Sequence, residues 1–190
     1  MITIYTTDEA RQTILRREGA LSPELSAPLR ARMIALFGEA LAPGAAVARI
    51  LADVRTRGDA ALRDWTQRLD GVTLTRLDVP AEDIRAAAAS LPADLRQSLQ
   101  LAADRIRAFH TLQPVHSWTT ATLGGRLGQR VAPLRRVGVY VPGGTAPLPS
   151  SLLMSAIPAQ VAGVAEIVVV TPPGGAGRVP PVILAAAATA

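Results

Sequence analysis

The chain has 190 residues, a formal net charge of +5 and an apolar fraction of 49%, enough for one domain, or one and a fraction, around a buried core. Aromatics make up only 3% and much of the apolar fraction is alanine, so Leu, Ile and Val must fill an interior of closely packed helix and sheet. The sequence has no cysteine and no lysine, which excludes disulfides, thiolate nucleophiles, cysteine zinc sites, a Schiff-base lysine and a P-loop lysine.

The chain opens MITIYTTDEARQT, without the basic start and apolar core of a signal peptide. No apolar stretch reaches membrane-spanning length free of Pro, Gly or charge, so a soluble cytoplasmic protein is expected. Residues 1–20 read as a short extended arm and a polar helix entered at Thr7-Asp8-Glu9. Ser22–Leu41 reads as a second helix, with Leu29, Met33, Leu36 and Phe37 on one side. Val47, Ile50, Leu51 and Val54 follow helical spacing. Gly58-Asp59 interrupts that pattern, and Asp59 can cap a helix bearing Leu62, Trp65 and Leu69, which Asp70-Gly71 ends. Leu74–Val79 reads as a short strand. Pro80 and Pro92 each open a helix. The second of these carries Leu95, Leu99, Ala102, Ile106 and Phe109 as an apolar stripe, with His110 just off it.

Thr119–Leu123 and Arg126–Val131 flank Gly124-Gly125 and predict a hairpin, with His116 and Trp118 at its entrance. From Arg136 the pattern becomes α/β. Val137–Val141 is a strand, Pro142–Pro149 a Gly-Pro loop, and Ser150 or Ser151 caps a helix that runs to about Ala162 and closes at Gly163. Pro158 predicts a kink or a late start in that helix. Ile167–Thr171 is a second strand, Pro172–Gly177 a second loop, and Pro180 starts a helix of apolar residues. The fold class expected is therefore α/β: a helical N-terminal region and a β-hairpin leading into an incomplete, Rossmann-like parallel βαβα unit. The expected division is an arm (1–20), a mostly helical first part of a discontinuous α/β domain (21–136), and the start of a second nucleotide-binding domain (137–190). Two parallel strands leave faces and edges uncovered. The last helix, without a polar face, looks built for burial between partners that this chain lacks. The pattern thus reads as a truncated chain, or one that needs another polypeptide.

Chemistry-bearing residues are few. Ligands of parallel α/β sheets sit at the carboxyl ends of strands, beside helix N-termini, and Tyr140–Thr145 (YVPGGT) falls there. Gly143 and Gly144 let backbone approach a phosphate or ring, although the loop lacks G-x-G-x-x-G. As a glycine loop alone it reads equally as a tight turn, and Tyr140 as a core aromatic. Ser150 and Ser151 have no histidine near them in sequence and read as a helix cap. Glu166 reads as a surface residue. His110 and His116 read as structural or surface residues, with no partner to form a metal site. The arginines are scattered, in groups no denser than Arg16-Arg17, Arg30/Arg32 and Arg135-Arg136, which speaks against a nucleic-acid partner.

Several segments together resemble the histidinol dehydrogenase family: Ile50–Leu62 (ILADVRTRGDAAL), Ile106–Gln113 (IRAFHTLQ), Leu127–Gln129 (LGQ), Arg136–Val164 (RVGVYVPGGTAPLPSSLLMSAIPAQVAGV) and Val170–Pro173 (VTPP). The resemblance implies a cytoplasmic, homodimeric enzyme of histidine biosynthesis that oxidises L-histidinol to L-histidine in two NAD-dependent steps. It also implies a zinc ion and a Glu-His acid/base pair. Tyr140 falls on the tyrosine that contacts NAD, with Gly143 and Gly144 as neighbours of the nucleotide. The family is about twice this length, and its zinc ligands and acid/base residues lie downstream of residue 190. The expectation is thus an N-terminal portion, inactive alone, with no catalytic and no metal-binding residue of its own. The alternative is a stand-alone, non-catalytic nucleotide-binding module.

Overall fold

The computed structural model describes residues 3–15, 25–114, 116–143 and 146–190. They fall into two compact units, 1–65 and 66–190, each described by itself.

The first unit is helical. Helix α1 spans Thr7–Gln12 and begins at Thr6, whose hydroxyl accepts from the Glu9 N–H while the Glu9 carboxylate accepts from the Thr6 N–H. Helix α2 is Ala27–Phe37 and stops at Gly38 (φ 80°), so the expected extension to Leu41 is not made. Residues 22–24 of that predicted helix lie outside the described residues. Helix α3 is Pro43–Arg57, ended by Gly58 (φ 58°). Helix α4, Asp59–Asp70, follows at once. Asp59 is its first residue rather than a flanking cap, and its carboxylate lies in the first turn, where the helix dipole favours it. Trp65 is 7% exposed and packs on Phe37 with ring centroids 5.3 Å apart.

The second unit carries the sheets. Residues 71–80 form no strand, which corrects the reading of Leu74–Val79. A strand needs a ladder partner, and among the described residues the strands pair only as 118–120 with 127–129 and 136–140 with 166–170. Instead Arg76 and Asp78 join in a local ion pair. Helices α5 (Ala81–Ser90) and α6 (Ala93–Thr111) follow, entered at Pro80 and Pro92. Strands β1 (Trp118–Thr120) and β2 (Leu127–Gln129) form the hairpin, with Gly124 and Gly125 both at positive φ. The strands are shorter than predicted, because almost every residue is exposed and no core anchors a longer ladder.

Strands β3 (Arg136–Tyr140) and β4 (Glu166–Val170) are parallel and in register from Arg136↔Glu166 to Tyr140↔Val170. Between them runs α7, Pro149–Val161. Its cap is Leu148 with Pro149 at the first position, so Ser150 and Ser151 lie inside the first turn and cap nothing. Proline at that position is favoured because its missing N–H would be unpaired anyway. The helix runs through Pro158 and does not start late. Helix α8 is Pro181–Thr189.

The core joins Val139, Val141, Leu152, Leu153, Ala156, Ile157, Ile183, Ala185 and Ala186 with Leu99 and Ala103 of α6. Full burial of Leu152, Leu153 and Ile157 contributes roughly 1.5–3 kcal/mol each. Helix α8 therefore finds cover within the chain, against α5 and α7, contrary to the reading that its partners are missing. Those partners lie far away in sequence, which a local pattern cannot reveal.

Candidate functional site at the carboxyl edge of the parallel pair

The α/β unit positions the candidate residues. Val139 (6% exposed) and Val141 (fully buried) point into the core, so strand alternation sends Gly138 and Tyr140 to the opposite face. Tyr140 ends β3 and is 64% exposed. Because the register is even, β4 ends level with it at Val170. The Val141 N–H donates to the Val170 carbonyl at 2.9 Å, which carries the pairing one step further.

Both strands then leave through Gly-Pro loops. Gly143 lies on the first, and a Cβ there would stand 3.2–3.3 Å from the Pro172 ring of the second. Its missing side chain lets the two loops close on each other, a packing reason independent of any ligand. Gly144 lies outside the described residues. On the second loop the Gly174 N–H donates to the Arg178 carbonyl at 3.0 Å and the Gly177 N–H to the Gly174 carbonyl at 2.7 Å. Helix α7 begins just beyond the first loop, with no side chain capping its amides. The edge thus presents an exposed phenol, two loops that meet at Gly143 and Pro172, and a helix start. This is a platform that can hold a ring or an anion, with no carboxylate, imidazole or thiol among its described residues.

The remaining candidates lie elsewhere. Glu166 sits at the opposite end of β4, ion-paired to Arg136 across the strands, and that guanidinium holds its carboxylate below the ordinary range. His110, near the end of α6, has Nδ1 at 2.6 Å from Gln113 Oε1 and meets Phe109 edge-on. His116 is exposed. Among the described residues no group of three or more His, Cys, Asp and Glu could hold a metal ion. The described residues alone therefore do not make a zinc site. No described helix is long and apolar enough to cross a membrane. An open recess of about 540 Å³ lies on the hairpin, lined by Trp118, Thr119, Arg126, Leu127 and Gln129 among others, away from the strand ends.

The comparisons with known proteins agree with one another. The family model described as histidinol dehydrogenase matches residues 40–190. A histidinol dehydrogenase from Deinococcus radiodurans is 56% identical over 151 residues, covering 80% of this chain and 34% of the relative. One from Aromatoleum aromaticum is 45% identical over 178 residues, covering 92% of this chain and 40% of the relative. The crystal structure of histidinol dehydrogenase from Elizabethkingia anophelis superposes with a TM-score of 0.72 at 32% identity, over 87% of this chain and 39% of that one. The chain thus spans between a third and two fifths of the length of the relatives it matches.

Proposed function

The chain belongs to the histidinol dehydrogenase family, and from that membership we propose that it supplies part of the nucleotide platform for the NAD-linked oxidation of L-histidinol to L-histidine by way of histidinal. The observation that carries this reading is Tyr140, two-thirds exposed at the carboxyl end of a parallel strand inside the matched segment. In this role the phenol ring stacks on or borders the nucleotide, with Gly143 and Gly144 as its neighbours in sequence on the adjoining loop. NAD would accept the hydride; nothing on this chain moves the protons. The family's zinc ion has no ligand set among the described residues. A homodimer in the cytoplasm, with no nucleic acid or membrane partner, belongs to the same proposal.

Two measurements test it. Isothermal titration with NAD should show binding that Tyr140→Ala weakens at least tenfold; an equal affinity in the variant refutes the role of Tyr140. The 190-residue chain, mixed with histidinol, NAD and zinc, should form no NADH above background. Clear turnover would refute the assignment of the proton and metal chemistry to residues outside this chain.

A further inference from the structure

A single charged side chain stands on the two loops that leave the carboxyl edge. Residues 141–149 carry no charged group, and residues 171–180 carry Arg178 alone. Glycine closes the turn that holds it. The Gly174 N–H donates to the Arg178 carbonyl at 3.0 Å, and a Cβ on Gly174 would stand 2.9 Å from that same oxygen. Gly177 supplies a positive φ of 71° one residue earlier. The backbone of Arg178 is thus fixed by this turn, while the residue itself is exposed.

A cation in this place runs against the local electrostatics. Arg178 lies just ahead of Pro181, the first residue of α8, where the helix dipole disfavours positive charge. No acidic residue in the first turn of α7 or α8 offsets it. Among the described residues its guanidinium has no hydrogen-bond or ion-pair partner. At the other end of the same strands Arg136 is neutralised by Glu166. The parallel pair therefore has a balanced amino end and an uncompensated positive carboxyl end, and the carboxyl end is the one that bears Tyr140. A local rule broken without compensation inside the chain points to a partner outside it, here an anion.

We propose that Arg178 receives a phosphate group of the nucleotide held at Tyr140, and so sets the site's preference for phosphorylated over unphosphorylated ligands. This rests on the nucleotide reading given above and deepens it. A guanidinium presents a planar fork of donors that matches phosphate oxygens. The phosphate has two sources, the bridging pyrophosphate and a ribose 2′-phosphate. The second source is open because the end of β4, Val170 and Thr171, offers no carboxylate to hold a free 2′-hydroxyl. The test is titration of the full 190-residue chain with NAD, NADP and adenosine, in wild type, Arg178→Gln and Arg135→Gln. Arg135, exposed and just before β3, makes the second variant an equal loss of charge at the opposite end of the strands. Arg178→Gln should weaken dinucleotide binding roughly tenfold or more, whereas Arg135→Gln should match wild type and adenosine should bind all three chains alike. Loss with NAD assigns the bridging pyrophosphate; loss with NADP alone assigns the 2′-phosphate. Added salt should weaken binding to wild type more than to Arg178→Gln. Unchanged affinity of Arg178→Gln for both dinucleotides overturns the proposal and leaves the role of Tyr140 standing. So does an equal loss in Arg135→Gln, since net charge would then be the cause, or an equal loss with adenosine, which has no phosphate. A wild-type chain that binds neither dinucleotide overturns the nucleotide reading and this proposal with it.

Discussion

At the scale of single residues, the first unit turns on Asp53, Arg57, Asp64 and Trp65. The Asp53 carboxylate accepts from Arg57 at 2.7 Å and from the Trp65 indole N–H at 2.8 Å, while Arg57 also reaches Asp64 at 2.6 Å. These contacts hold Trp65 of α4 against α3 across the Gly58 break. Asp53→Ala takes away the acceptor of a buried indole and should cost about 1–2 kcal/mol in urea unfolding; an unchanged midpoint would remove the network as a support. Charge pairs on the surface give a second expectation. Glu9, held by Thr6, and Asp78 and Glu166, held by arginines, all have lowered pKa values in the fold. A lowered folded pKa means the unfolded chain binds the proton more readily, so their contribution is present above the ordinary carboxylate value of 4.5 for Glu and is lost as pH falls through the folded value. Stability should therefore decline below about pH 4.5, and Glu166→Gln should make that decline shallower by lowering stability at neutral pH while leaving it unchanged at low pH. The strand end that carries Tyr140 was readable in the sequence, as a short apolar run before glycines and prolines, whereas the close approach of Gly143 to Pro172 was not, because contact between two loops has no local pattern.

At the scale of elements, the helices were largely legible and their ends less so. Amphipathic spacing placed α3, α4 and α6, although only part of each stripe is buried: Trp65 and Leu99 are covered, while Val47, Leu51, Leu62, Leu69 and Phe109 stay exposed. Two serines beside a proline suggested a cap for α7, yet Pro149 took the first helical position and displaced the cap to Leu148. Leu74–Val79 has strand composition and no partner, and composition alone cannot supply one. The hairpin offers a sharp test. A Cβ at Gly128 would stand 2.3 Å from the Trp118 carbonyl and 2.8 Å from Thr119 Cγ2. Gly128→Ala must therefore push the strands apart, at a cost of about 1–3 kcal/mol, and should abolish amide protection across β1 and β2 in hydrogen exchange. Retained protection would show that the strand shifts to accommodate the methyl group. In the core, Leu152→Ala should cost about 2–5 kcal/mol, because the side chain is fully buried among α7, the parallel strands and α8.

At the scale of the whole molecule, what the sequence could not convey was long-range cover. The apolar run of α8 looked destitute of partners, but α5 lies alongside it. The outer face of the parallel pair is one of several places where apolar exposure persists, and the chain should bind a solvatochromic dye such as ANS in part through that strip. Val168→Asp with Val170→Asp should reduce the dye signal markedly; an unaltered signal would move the exposed surface elsewhere. The pairing of α5 with α8 also has a consequence in time. Ninety residues separate the end of α5 at Ser90 from the start of α8 at Pro181, so a ribosome working at about 5–20 residues per second leaves the earlier helix waiting for roughly 5–20 s. Throughout that interval its apolar side is bare to solvent, and a chaperone that recognises such surfaces has its opportunity before the fold can close.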